Sequence, residues 1–274
     1  EYRPSLYEFN ARGQLLARYI PAGAATAGAA GIEALPVVYN QRRENRGFEA
    51  IAYADGKIYA FVQSPLDNPD VANDASSKAS RNVRILAFDL ATRQVAGEYL
   101  YVLEGGSSDK IGDAVAMGDG RFLLVERDSA TGTGAKKAVY RIDLNAATDL
   151  STLGTDVTGP GGSLESLNEA ALETAGIRPV RKELYVDLVA AGYTFADKPE
   201  GLALVDAQTL ALINDNDFGL SGGFDPATGK LIPNPAPQAS ILALLKRNPG
   251  GLDASDRDNR INIRPWPVKG LYLP

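Results

Sequence analysis

The sequence predicts an all-β fold, a β-propeller of four-stranded meander blades interrupted by one short helix. Three observations carry this. One motif recurs as FEAIAYADGKIYAFVQS (Phe48 to Ser64), GDAVAMGDGRFLLVERD (Gly112 to Asp128) and PEGLALVDAQTLALIND (Pro199 to Asp215). Each copy opens on an acid (Glu49, Asp113, Glu200), with an aspartate six residues later (Asp55, Asp119, Asp206) between two apolar segments. Further strand segments follow the copies, and a recurring meander is the mark of a propeller blade.

The elements follow in chain order. SLYEFN and QLLARYI, joined at Ala11-Arg12-Gly13, form a leading half blade. In the first full blade, Asp55-Gly56 is a type I′ turn dipeptide, because glycine accepts positive φ without steric cost. NVRILAFDL (Asn82 to Leu90) then turns at Ala91-Thr92-Arg93 into Val95 to Leu103. The second blade repeats this with Asp119-Gly120, AVYRIDL (Ala138 to Leu144) and KELYVDL (Lys182 to Leu188). Between its last two strands, Ser166-Leu167-Asn168-Glu169 reads as a capping box and Gly176 as the helix stop. ILALLK (Ile241 to Lys246) follows the third hairpin and fits either a strand or a helix. Small-residue stretches at 22–31, 131–134 and 158–162 read as surface loops. The count is about three blades and a half, and closed propellers usually have at least four. Residues 1–246 therefore read as part of a larger propeller, and 247–274 as a linker into a further propeller segment. The opening residue Glu1 fits a piece of a longer protein.

Composition removes several chemistries. The 274 residues include no cysteine and no histidine, which excludes disulfides, thiolate sites, a Ser-His-Asp triad and His-ligated zinc within the chain. The net charge of −6 lacks a nucleic-acid footprint. No apolar run is long enough to span a bilayer. Catalysis must rest on carboxylates, Lys, Arg, Tyr or an oxygen-bound cation, and among cations a flexible all-protein oxygen cage favours Ca²⁺.

Candidate residues cluster at the ends of the repeats. Glu49, Asp113 and Glu200 open the inner strands, as metal-holding carboxylates or as locks that accept backbone N–H groups from a neighbouring blade. Polar strand ends supply Glu126, Asp128, Asp215 and Asp217, the last two spaced to share one ion. Arg46, Arg127 and Lys198 lie close to these acids and suit phosphate oxygens. Asp253, Asp256 and Asp258 read as a solvated loop. Gly219-Leu220-Ser221-Gly222-Gly223 has the G-x-S-x-G spacing but neither the strand-to-helix context nor a histidine base, and reads as a loop.

NRGFEAIAYADGKIYAFVQSPL (Asn45 to Leu66), RFLLVERD (Arg121 to Asp128) and KPEGLALVDAQTLALINDNDFG (Lys198 to Gly219) together resemble the "esterase-like activity of phytase" family. The resemblance runs from Glu1 to about residue 246. It implies an extracytoplasmic bacterial propeller, secreted, periplasmic or on the cell surface, with phytase- or alkaline-phosphatase-like activity on a phosphorylated small molecule. The tail GLDASDRDNRINIRPWPVKGLYLP (Gly251 to Pro274) resembles choice-of-anchor I surface propellers. The resulting expectation is calcium-assisted water attack on a phosphoester. Glu49, Glu200 and Asp217 would be catalytic. Asp215, Asp217, Glu126 and Asp128 would hold calcium, and Arg46, Arg127 and Lys198 would hold phosphate. The alternative is a non-catalytic propeller in an envelope or surface-layer assembly.

Overall fold

A computed structural model of the chain describes residues 4–69, 79–105, 110–153, 158–159 and 162–246. Its regular structure is β with few helices, in several mainly antiparallel sheets. The first sheet pairs β1 (Leu6–Phe9) with β2 (Leu15–Pro21) as expected. It then gains β3 (Ile32–Leu35), parallel to β2, after the small-residue loop. The second sheet is a complete antiparallel meander, β4 (Phe48–Ala54), β5 (Lys57–Val62), β6 (Asn82–Asp89) and β7 (Gln94–Val102). The third begins as a meander too, with β8 (Lys110–Gly118), β9 (Arg121–Arg127) and β10 (Lys137–Asp143).

An excursion follows, holding the two-residue ladder of β11 (Thr158–Gly159) with β12 (Gly162–Ser163) and helix α1 (Glu169–Thr174). The chain returns as β13 (Arg181–Asp187), the fourth strand of the third sheet. The fourth sheet contains β14 (Pro199–Asp206), β15 (Thr209–Asn214) and β18 (Leu242–Lys246). A hairpin of β16 (Leu220–Phe224) and β17 (Leu231–Pro233) is inserted before its last strand. Residues 242–246 thus resolve as strand rather than helix. Closure of the sheets into a barrel or ring is not seen among the described residues. The tail from 247 onward, with Asp253, Asp256 and Asp258, lies outside them.

Local sequence explains the hairpins. Asp55 and Gly56 have φ of 50° and 76°, and Asp119 and Gly120 have 53° and 70°, the paired positive values that a type I′ turn requires. The helix start differs from expectation. Ser166 donates to the Ser163 carbonyl at 2.7 Å inside a 3-10 turn, and Asn168 is the N-cap, its Oδ1 accepting the Ala171 N–H at 2.9 Å. The later cap wins because Ser166 is already committed, and Asn is as good an N-cap as Ser.

The sheets pack through their inner strands, with β8 against β4 on one side and β14 on the other. Strand β9 shows how this is built. Its side chains alternate by face. Phe122 and Leu124 enter the core shared with the second sheet, where Phe122 meets the rings of Tyr59 at 4.7 Å and Phe61 at 5.8 Å. Leu123 and Val125 enter a separate core with Leu202, Leu210 and Leu212 of the fourth sheet.

β8 and β14 approach so closely that a Cβ on Gly112 would fall 2.2 Å from the Pro199 carbonyl oxygen. Next to it, Asp113 Oδ2 accepts the Leu202 N–H of β14 at 2.6 Å, and Oδ1 accepts the Ala114 N–H at 2.8 Å. Burial raises the Asp113 carboxyl above its ordinary pKa, while these two bonds pull the other way. This is the inter-sheet lock envisaged for the repeated acid. Asp113→Ala is expected to cost about 1–3 kcal/mol by leaving a buried N–H without a partner. Asp113→Asn, which keeps one acceptor oxygen, loses less. Urea unfolding checks both, and equal stability of wild type and the alanine variant would remove the lock.

A second anchor holds the excursion. Arg84 of β6 is 1 % exposed. Its Nε and Nη2 donate to the two oxygens of Glu165 at 2.6 and 3.1 Å, and Nη1 donates to Glu98 at 2.7 Å. Asn68 Nδ2 donates to Glu165 Oε2 at 2.7 Å, and Asn82 Nδ2 donates to the carbonyls of Leu164 and Leu167 at 2.7 and 2.8 Å.

Candidate functional site

Antiparallel pairing brings the expected residues to one edge. The start of β4 lies beside the end of β5, the start of β8 beside the end of β9, and the start of β14 beside the end of β15. The Ile111 N–H donates to the Gln63 carbonyl at 2.8 Å, which joins the first two pairs. Along this edge, Arg46 Nη1 donates to Ser64 Oγ at 2.9 Å and Lys110 Nζ to Ser129 Oγ at 2.7 Å. Glu49 is half-buried at the second position of β4, the place in the repeat that Asp113 holds in β8.

The densest charge lies where β9 ends and β14 begins. Arg127 is 2 % exposed; its Nη1 donates to the Asp128 carbonyl at 3.2 Å, and its Nη2 is ion-paired with Glu200. One residue before β14, Lys198 Nζ meets both oxygens of Asp217 at 2.6 Å and Asp215 Oδ2 at 3.5 Å. Asp215 Oδ1 accepts the Asp217 N–H at 2.9 Å, which fixes the turn carrying Asp217. Burial acts to depress the Lys198 ammonium, but Asp217, Asp215 and Asp197 outweigh it and hold its pKa above the ordinary lysine value. The bond from Lys198 holds the Asp217 carboxyl below the usual carboxylate range, and the Arg127 charge adds to this.

Of the other two expected calcium ligands, Glu126 lies elsewhere, and Asp128, beside Arg127, is tied to Lys137. Glu126 and Arg127 are consecutive on β9 and therefore face opposite sides. Glu126 points toward the second sheet, where it accepts Tyr101 Oη–H at 2.5 Å, the Glu104 N–H at 2.8 Å and Lys182 Nζ at 2.8 Å. Lys182 also sits over the rings of Tyr101 at 4.5 Å and Tyr140 at 4.2 Å. Asp128 closes the β9–β10 loop, accepting Lys137 Nζ at 3.0 Å and the N–H groups of Lys136 at 2.8 Å and Ala130 at 3.2 Å. The four carboxylates are thus divided among three lysines. Among the described residues, no three carboxylates are grouped to hold a metal ion. The donor set does not fit a calcium cage.

Lys137 and Lys182 escaped the sequence reading, since each stands at or next to a strand start and the acid it pairs with belongs to a different strand or its following loop. Glu126 and Asp128 in a polar strand end were the visible half of each pair. Ser221 was expected in a loop but lies on strand β16, which pairs with β17, and it donates to the Ile232 carbonyl at 3.1 Å.

Comparison with known proteins agrees with the repeat motifs. The phytase-like family model, described as the esterase-like activity of phytase, matches residues 1–218. No curated protein matches the chain. The expected likeness of Gly251 to Pro274 to choice-of-anchor I proteins has no support, the family match having ended before it. The matched span includes the Arg127–Glu200 pair and the Lys198–Asp217 pair, and the chain belongs to the phytase-like family.

Proposed function

We propose that the protein is a phosphoester hydrolase whose anion seat is formed by Arg127 and Lys198. The single observation behind this is their convergence at the β9–β14 edge in a chain of the phytase-like family. Two fixed cations suit a phosphoryl group, whose charge spreads over several oxygens, and such electrostatic positioning is usually the largest catalytic contribution. Glu200 orients the Arg127 guanidinium and is the carboxylate best situated to take a proton from an attacking water. In that step the water oxygen bonds to phosphorus, the ester P–O bond breaks, and the alkoxide leaves with a solvent proton. No step is routed through calcium, because the carboxylates expected to hold it are bound to lysines. Glu49 takes the lock role of Asp113 in this reading rather than a catalytic one.

The sheets are read as propeller blades, with β4, β8 and β14 as successive inner strands; their mutual packing supports this. An extracytoplasmic location and envelope partners belong to the same proposal. No helix among the described residues is long and apolar enough to cross a membrane.

The test is hydrolysis of a chromogenic phosphomonoester by the chain, with added calcium and with a chelator. Turnover that survives chelation is the expected result. Turnover abolished by chelator and restored by calcium would return the metal to the mechanism. No turnover in either condition would favour a non-catalytic surface propeller.

A further inference from the structure

We infer that Asp217 is an internal occupant of the anion seat, a carboxylate that stands where a phosphoryl group would bind and must be displaced by it. The inference rests on the reading of Lys198 and Arg127 as that seat. Three observations carry it. First, Lys198 meets both Asp217 oxygens at 2.6 Å, the two-oxygen contact that a phosphate would make with the same ammonium. Second, the carboxylate is not built in. The Asp217 side chain is 57 % exposed and lies outside β15, whereas Lys198 is one residue from β14 and Arg127 is buried. The cations are fixed by the sheet and the anion is carried on a turn.

Third, that turn is an unusual one. Asp217, Phe218 and Gly219 have successive φ values of 53°, 55° and 70°, all in the left-handed region. Phe218 holds this conformation while 93 % exposed, so no burial of its ring offsets the backbone strain. The turn backbone is held by the Asp217 N–H on Asp215, the Phe218 N–H on Asn216 and the Asn234 N–H on the Gly219 carbonyl, and not by packing of its aromatic side chain. An incoming phosphate that takes Lys198 therefore releases the Asp217 carboxylate while these backbone bonds stay in place. This reverses the expectation of Asp217 as a metal ligand, under which loss of its charge would weaken the site.

The experiment is calorimetric titration of the chain with inorganic phosphate, for wild type, Asp217→Asn, Asp215→Asn and Lys198→Gln. Asparagine accepts the left-handed conformation as readily as aspartate, so Asp217→Asn keeps the turn. It is expected to bind phosphate about tenfold tighter, because the seat no longer has to be vacated first. Asp215→Asn removes the same charge from a contact of 3.5 Å and should tighten binding far less. Lys198→Gln should lose phosphate binding. Lys198→Gln binding as wild type does would overturn the anion seat itself. Loss of binding in Lys198→Gln with unchanged or weaker binding in Asp217→Asn would overturn only the internal occupant. Equal tightening in both asparagine variants would reduce the effect to net charge and overturn it as well.

Discussion

Arg84→Met is expected to lower the unfolding free energy by about 3–5 kcal/mol, the usual consequence of leaving buried charge without its partner. Two carboxylates face this one guanidinium, and Glu165 and Glu98 are both almost fully buried. Methionine fills much of the volume but donates no hydrogen bond. Arg84→Lys should recover less than half of the loss, since one ammonium cannot reproduce the two-bond fork to Glu165 together with the bond to Glu98. The triple variant Arg84→Met, Glu98→Gln, Glu165→Leu should regain stability over Arg84→Met, because it removes the orphaned charges. Urea unfolding followed by circular dichroism measures all three. A loss under about 1 kcal/mol in Arg84→Met, the range of an exposed ion pair, would show that water reaches this network.

Arg127→Lys is expected to reduce kcat/KM for a phosphomonoester by about 100-fold or more, on the scale of removing one preorganised donor from an oxyanion site. The substitution keeps the charge and loses the fork. Arg127 reaches from the end of β9 to Glu200 on β14 while also donating to the Asp128 carbonyl. A lysine ammonium can serve one of these partners but cannot hold a planar face toward a phosphoryl group at the same time. Urea unfolding of the variant separates this from simple loss of fold. Wild-type kcat/KM in this variant would remove Arg127 from the reaction, and lost activity that tracks lost stability would assign the effect to the fold.

The sequence displayed the hairpins because their determinants are local. Asp55-Gly56 and Asp119-Gly120 dictate their turns through backbone conformation alone, and the flanking Val, Ile, Tyr and Phe can be read in place. The recurring acid was legible for the same reason, and Asp113 shows what one copy does. The edge residues Arg46, Arg127, Lys198, Asp215 and Asp217 were also found, because strand ends collect at one edge of a meander whatever its closure. Three features were hidden. β3 is parallel to β2 and follows a loop of small residues, so no hairpin signal announces it. The lysines that neutralise Glu126 and Asp128 are 56 and 9 residues away in the chain. Arg84 showed as one cation among the candidates for phosphate, whereas it is bound to Glu165, 81 residues distant. Side-chain pairing across such separations is a product of tertiary packing, on which neither propensity nor spacing bears.

The alternation along β9 has a consequence for how this chain can change. Phe122, Leu124 and Glu126 serve one neighbouring sheet, and Leu123, Val125 and Arg127 serve the other. A single-residue insertion or deletion inside this strand would exchange the two sets. It would turn the guanidinium toward Lys182 and the carboxylate toward Glu200, so that two buried attractions become two buried repulsions at once. The loops at either end of the hairpin carry no such parity. Length variation in relatives of this chain should therefore gather in the turns and the excursion after β10, while the strand between Arg121 and Arg127 keeps its reading frame.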